Sequence, residues 1–88
     1  MQGSIKILHL EDDAFDAELL SVALAAVKID AKLSRVDTAK AFGELLAKET
    51  FDLAICVYNV PGFSGFHALT RIREVAPDMP VIIISGTM

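Results

Sequence analysis

The sequence has 88 residues, of which 53% are hydrophobic and 23% are charged, so it predicts one small globular domain spanning 1–88. A net charge of −4 and scattered Lys and Arg residues argue against a nucleic-acid partner or a membrane-surface partner. No apolar run approaches the ~20 residues of a membrane span, and the N-terminus lacks the pattern of a signal peptide. One cysteine allows no internal disulfide, so we expect a cytoplasmic protein.

Strands and helices alternate along the chain. Apolar, β-rich runs predict strands at residues 5–10, 31–36, 53–57 and 81–84, and helical spacing predicts helices at about 14–27, 39–48 and 64–76. Strands that alternate with helices are typical of an α/β fold with a parallel sheet and helices on its faces. The third strand is apolar throughout, which is expected when both faces are covered. It contains Cys56, which we expect to be a small buried hydrophobe.

Two elements carry more apolar surface than this arrangement covers. The first predicted helix has one polar stripe, and the rest of its surface is apolar or alanine, so it requires cover on more than one side. The fourth strand, Val-Ile-Ile-Ile at 81–84, is the most hydrophobic strand and is followed by only four residues of the sequence. A bare edge of this composition predicts pairing with another chain, so we expect a homo-oligomer through the edge of the fourth strand.

Three acidic residues follow the first strand, and they allow two interpretations. Glu11, Asp12 and Asp13 repel one another unless a cation neutralises them, and oxygen ligands of this kind suit Mg²⁺. Alternatively, the acids favour the start of the first helix, where the helix dipole attracts negative charge and Asp13 is a candidate N-cap. The acids alone leave both interpretations open.

Polar residues near the ends of the other strands complete the list of candidates. Ser85 follows the fourth strand, where a hydroxyl is able to hydrogen-bond an anion or is simply a polar residue at a strand end. His9 lies in the first strand and is expected to be buried and hydrogen-bonded, and His67 is expected to be exposed. Neither histidine belongs to a Cys/His cluster, so we do not expect zinc.

Four stretches together resemble a known family. Residues 7–13 (ILHLEDD), 51–55 (FDLAI), 60–65 (VPGFSG) and 80–87 (PVIIISGT) resemble, in order and spacing, the receiver domain of two-component response regulators, which also occurs within hybrid histidine kinases. The resemblance implies a flavodoxin-like, three-layer parallel sheet with the strand order 2-1-3-4-5. It also implies phosphoryl transfer from a histidine kinase to an aspartate, with bound Mg²⁺.

The resemblance assigns roles to individual residues. Glu11 and Asp12 match the acidic pair that binds the metal, and the backbone carbonyl of Asn59 matches the group that completes the metal site. Ser85 matches the residue that turns toward the phosphoryl group. Val57 falls where the family has its phosphoacceptor aspartate. Asp52 is no substitute, because it begins the same strand and five residues at about 3.3 Å each separate it from the strand's end.

These matches lead to definite expectations. Valine has no nucleophile and no metal oxygen, so we expect no aspartyl phosphate and weakened Mg²⁺ binding. The family's fifth strand, its lysine and its last helices have no counterpart in the 88 residues. We therefore expect a truncated receiver fold with four strands in the order 2-1-3-4 and three helices.

The sequence is compatible with two classes of function. The first is a receiver-type signalling domain, without enzymatic activity, that contacts a histidine kinase or another signalling protein. The alternative is a small Mg²⁺-dependent phosphate-processing enzyme that uses Glu11 and Asp12. The only nearby nucleophile candidates for that enzyme are Asp12, Asp13 and Ser85, and the sequence contains no Gly-rich phosphate loop of either common kind.

Overall fold

The computed structural model describes residues 4–84 and contains one main sheet with helices on both faces. The elements are β1 (Ile5–Leu10), α1 (Ala14–Ala26), β2 (Ala31–Val36), α2 (Ala39–Lys48), β3 (Leu53–Val57), β4 (Asn59–Val60), β5 (Phe63–Ser64), α3 (Gly65–Val75) and β6 (Val81–Ile84). The four predicted strands of the sheet and the three predicted helices are confirmed, most of them to within a residue. No helix in 4–84 is long and apolar enough to cross a membrane.

The main sheet is parallel, with the strand order β2-β1-β3-β6. Because β6 is the fourth strand of this sheet, the predicted order 2-1-3-4 is confirmed. The register pairs Ile7 with Leu53 and Ala54 with Val81, so the carboxyl ends of β1, β3 and β6 lie at the same edge of the sheet. This edge is where open parallel sheets place their binding sites.

The hydrophobic core lies on the face of the sheet that is covered by α2 and α3. Side chains of alternate strand residues point to this face, and the two helices contribute apolar residues at helical spacing. The fully buried residues of this layer are Leu8, Leu10, Ala54, Cys56, Phe42, Ala68 and Ile72. Thr38 is the N-cap of α2, since its hydroxyl accepts a hydrogen bond from the Ala41 N–H at 3.1 Å.

The opposite face of the sheet is covered by α1 alone within 4–84, and this helix has no buried residue. Leu20 and Leu24 are half-buried, which orients one stripe of the helix toward the sheet. A second stripe, formed by Phe15, Leu19 and Val22, is exposed to 68%, 51% and 59%. The described part of the chain therefore covers only one side of a helix whose sequence requires more.

A short antiparallel pair, β4 and β5, connects β3 to α3. Pro61 and Gly62 form its turn, and Gly62 has a φ of 78°, which glycine adopts without a steric penalty. The pair buries Val60 and Phe63 in the hydrophobic core, and the ring centroids of Phe63 and of Phe42 in α2 are 5.3 Å apart. This pair has no detectable hydrophobic period, because each strand has only two residues.

Candidate functional site

A cavity of about 230 Å³ opens between α1 and the carboxyl edge of the sheet. It is lined by His9, Glu11, Asp16, Leu20, Val57 and Ile84. Two of these, Glu11 and Val57, are residues that the sequence identified as site positions. The cavity therefore borders two of the predicted site positions.

A larger cavity, of about 560 Å³, lies at the other end of the core between the C-terminal ends of α2 and α3. Its polar lining residues include Lys48, Glu49 and Asp78. None of the predicted site residues borders it. Its position near the amino ends of β3 and β6 also separates it from the edge where parallel sheets bind ligands.

Glu11 is the most buried carboxylate of the site. It directly follows β1, its N–H donates to the Val36 carbonyl at 3.0 Å, and the residue is only 6% exposed. Burial raises the pKa of the Glu11 carboxyl above its ordinary value, and the neighbouring Asp12 and Asp16 raise it further. The Asp13 N–H, which donates to Oε2 at 3.2 Å, partly opposes these effects. A buried carboxylate among other acids is a group that a bound cation would stabilise.

His9 lies two residues before Glu11 and faces the same side of the sheet, because strand side chains alternate. Its Nε2 is 4.0 Å from the Glu11 Oε1, at the limit of an ion pair. Burial lowers the pKa of His9, and the charge of Arg35 lowers it further, so the imidazole is neutral at neutral pH. Its Nδ1 is buried and has no hydrogen-bond partner among residues 4–84. The predicted burial of His9 is confirmed, but its Nδ1 does not form the predicted hydrogen bond with any residue in 4–84.

The two interpretations of the acidic run apply to different residues. Asp13 is the N-cap of α1, and its Oδ1 accepts from the N–H groups of Phe15 at 2.9 Å and Asp16 at 3.4 Å. Asp12 is exposed and does not line the cavity. Capping therefore accounts for Asp13, but it does not account for the buried carboxylate of Glu11.

The remaining predicted positions lie along and beyond β3. Val57 ends β3 opposite Ile84, is half-buried and lines the cavity. Asn59 begins β4 two residues later. Ser85 lies outside the described residues. Asp52 is at the far end of the strand, where its Oδ2 accepts a hydrogen bond from the Lys6 N–H at 2.8 Å, so it is remote from the cavity as predicted.

The donor set can be compared with the needs of Mg²⁺. This ion usually takes one or two protein carboxylates and keeps several waters. Glu11 and Asp12 supply two carboxylates, and the buried Glu11 benefits from a cation, so the residues fit a loosely held ion. Val57 contributes no oxygen, and within 4–84 no group of three or more His, Cys, Asp or Glu residues is arranged to hold a metal.

Three residues around the cavity were missed by sequence reasoning. Asp16 and Leu20 lie one turn apart on α1, and Arg35 donates from Nη1 to the Glu11 carbonyl at 2.9 Å. The helical spacing of Asp16 and Leu20 was a usable signal, since residues four apart share a helix face. The position of Arg35 depends on the pairing of β2 with β1 and has no local signal.

Comparison with known proteins identifies the family. The response regulator receiver domain matches residues 7–88. Two response regulator proteins of Pseudomonas aeruginosa, PilR and FleR, are 34% and 36% identical to this chain over 81 residues, which is 92% of the chain. The match covers 18% of PilR and 17% of FleR, so the chain spans less than a fifth of the length of these curated relatives.

Solved structures share the fold. The receiver domain of the sensor histidine kinase PA1611 from Pseudomonas aeruginosa PAO1, solved with a magnesium ion coordinated in its active site cleft, aligns with a TM-score of 0.80 and 17% identity over 97% of this chain and 70% of that one. The MaeR response regulator bound to beryllium trifluoride aligns with a TM-score of 0.81 and 21% identity over 96% of this chain and 69% of that one. The fold is thus the flavodoxin-like fold of receivers, and the chain belongs to the response regulator receiver domain family.

Proposed function

We propose that this domain of two-component signalling is a receiver that does not accept a phosphoryl group. The single observation that carries the proposal is Val57, which ends β3 and lines the same cavity as Glu11. A valine side chain has no oxygen to attack a phosphorus atom. The carboxylate of Asp52, which precedes β3, accepts a hydrogen bond from the Lys6 backbone N–H at the other end of the strand. In this proposal Val57 takes the position of the family's phosphoacceptor aspartate.

We infer that Mg²⁺ binding at this site is weak. Glu11 and Asp12 would hold the ion together with the backbone carbonyl of Asn59. Ser85 has the position of the residue that turns toward the phosphoryl group in a relative that is phosphorylated. The ion would neutralise the buried Glu11 carboxylate, whose pKa is raised by burial and by the neighbouring acids Asp16 and Asp12. The magnesium ion in the cleft of the PA1611 receiver supports the same place for the ion here.

The decisive experiment introduces an aspartate at position 57. We expect Val57→Asp to form an acyl phosphate when it is incubated with a small phosphodonor and Mg²⁺, whereas the unmodified chain does not. Val57→Asn is the matched control, since it has a similar shape and polarity but cannot form an acyl phosphate. Intact-protein mass spectrometry, with hydroxylamine cleavage of the product, measures the reaction. Phosphorylation of any aspartate in the unmodified chain would overturn the proposal.

A receiver without phosphorylation acts through contacts with other proteins. We propose a histidine kinase or another signalling protein as the partner, in the cytoplasm, with no enzymatic activity of the domain itself. The support comes from the exposed apolar side chains of Phe15, Leu19 and Val22 on α1, since exposed apolar patches of this kind mark interaction surfaces.

We also propose that the chain self-associates through β6. The two edges of the sheet differ in composition: β2 carries Lys32 and Arg35, whereas β6 consists of Val81, Ile82, Ile83 and Ile84. Charged residues protect an edge strand from pairing with other chains. Residues 81–84, which form the other edge strand in the described part of the chain, carry no charge, which favours pairing there with a second copy.

A further inference from the structure

The backbone of β6 faces β3 at every second residue. In a parallel pair of strands, alternate residues direct their N–H and C=O groups toward the neighbouring strand. The carbonyl of Pro80 accepts from the Ala54 N–H at 3.0 Å, and the carbonyl of Ile84 accepts from the Tyr58 N–H at 2.8 Å. Pro80 and Ile84, and Ile82 midway between them, therefore face β3.

The other two residues of β6 face the opposite side of the strand. The N–H and C=O groups of Val81 and Ile83 point away from β3, to a side where no strand pairs with β6 among residues 4–84. Backbone groups of this kind are a template for pairing with another strand. This edge thus presents one donor and one acceptor at each of two positions that are two residues apart.

Two identical edges of this kind fit together with twofold symmetry only in the antiparallel direction. In an antiparallel pair, opposite residues exchange two hydrogen bonds. A twofold axis at Ile82 places Val81 opposite Ile83 of a second copy and Ile83 opposite its Val81, so the edge groups of both residues find partners. In a parallel pair, each edge-facing residue lies between two edge-facing residues of the other strand, a stagger that a twofold axis between identical strands does not allow.

The side chains of β6 agree with this register. Ile82 and Ile84 are 51% and 41% exposed, whereas Val81 and Ile83 are half-buried on the other face of the strand. The antiparallel pair keeps the corresponding faces of both copies on the same side, so the two Ile82 side chains meet at the twofold axis. Opposite residues without hydrogen bonds between them bring their side chains closest together. The most exposed side chain of β6 would therefore be buried at the centre of the contact.

We propose that two copies of this chain pair through β6 in the antiparallel direction, with Val81 hydrogen-bonded to Ile83 and a twofold axis at Ile82. The inference rests on the self-association proposed above and adds its direction and register. A twofold contact uses the same edge of both copies and closes on itself. The expected assembly is therefore a dimer in which the two four-stranded sheets form one continuous sheet.

Amide hydrogen exchange of the unmodified 88-residue chain tests the register without a substitution. We expect the N–H groups of Val81 and Ile83 to exchange more slowly at a concentration where light scattering gives a dimer than after dilution to the monomer. Ile82 and Ile84 are the matched controls in the same strand, because their N–H groups already face β3. The slowing at Val81 and Ile83 should be at least tenfold greater than at these controls, and equal slowing in a dimeric chain overturns the inference.

Cysteine substitutions test the same register by a second route. Opposite residues without hydrogen bonds between them have Cα atoms about 4.5 Å apart, a distance that a disulfide spans. Ile82→Cys should therefore form a disulfide-linked dimer under mild oxidation. Ile84→Cys, on the same face, lies opposite Pro80 of the second copy and should give at least tenfold less of this product. The unmodified chain, whose Cys56 is buried, gives the background. Equal or greater cross-linking of Ile84→Cys overturns the inference.

The outcomes separate this inference from the proposals above. A dimeric mass without either signature rules out the register and leaves self-association to another surface of the chain. A monomeric mass rules out both the register and self-association. Phosphorylation of the unmodified chain would overturn the proposal of a receiver without phosphorylation and leave the β6 contact unaffected.

Discussion

At the scale of single residues, the thiol of Cys56 reports on the core beneath the site. Burial raises the pKa of this thiol from 9.0 to about 11. A pKa that is raised in the folded state means that the contribution of the thiol to stability is complete below pH 9 and is lost as the pH rises toward 11. We expect the stability difference between the unmodified chain and Cys56→Ala to be about 1.4 kcal/mol smaller at pH 10 than at pH 8.

Urea denaturation of both proteins at the two pH values measures this change. The subtraction removes the titration of lysines and Tyr58, which both proteins share. A difference that stays constant between pH 8 and pH 10 would show that the thiol is not held in its neutral form by burial.

For single residues, the sequence predicts only part of the site. Glu11 and Val57 were predicted as site positions because each directly follows or ends an apolar strand, and strand ends gather at one edge of a parallel sheet. That the His9 Nδ1 has no hydrogen-bond partner among residues 4–84 was not predictable. Whether a buried nitrogen finds a partner depends on the side chains that surround it in three dimensions, and the period of a strand gives only the face on which it lies.

At the scale of elements, the boundaries of α2 and of the four strands of the main sheet (β1, β2, β3 and β6) were predicted to the residue. Apolar periodicity, the Thr38 cap and the prolines at 77 and 80 are local signals, and each acts on its own element. The β4–β5 pair was missed, because two-residue strands carry no period. Its position depends on contacts that are remote in sequence, such as the packing of Phe63 on Phe42.

Alanine substitutions of two helical glycines, Gly65 and Gly43, are expected to change the free energy of unfolding in opposite directions. At Gly65, the first residue of α3, an added Cβ would lie 3.2 Å from the Tyr58 Cα and 3.3 Å from the Ile83 Cγ2. The Tyr58 backbone is fixed by hydrogen bonds to Ile84 and Gly65, so it cannot easily move away. At Gly43, inside α2, an added Cβ would meet only the end of the Arg71 side chain at 3.5 Å.

We therefore expect Gly65→Ala to lower the free energy of unfolding by about 1–2 kcal/mol, as overpacking does. Gly43→Ala should raise it by up to about 1 kcal/mol, because alanine has the higher helix propensity. The midpoints of urea unfolding of the two variants measure both effects. A higher midpoint for Gly65→Ala would contradict the close packing of α3 on Tyr58, and a lower midpoint for Gly43→Ala would contradict the open space at Gly43.

At the scale of the whole molecule, the two faces of the sheet are unequally covered. The face under α2 and α3 holds the main core cluster, whereas on the face under α1 the side chains of Ile82 and Ile84 are exposed to 51% and 41%. Exposing this much apolar surface is unfavourable, at roughly 25 cal/mol for each Å². A second copy that pairs with the edge of β6 would cover part of it and would also satisfy the backbone groups of that edge.

Self-association should therefore depend on β6. We expect the unmodified chain to have the mass of a dimer or a larger assembly at micromolar concentration, measured by light scattering after size-exclusion chromatography. The double variant Ile82→Lys, Ile84→Lys should be monomeric, because charges on an edge strand oppose pairing. Val75→Lys is the matched control, since Val75 is an equally exposed apolar residue at the end of α3, away from β6.

Phe15→Lys tests α1 separately, and loss of the assembly in this variant alone would move the interface from the strand edge to the helix. A monomeric mass of the unmodified chain would contradict self-association through either surface.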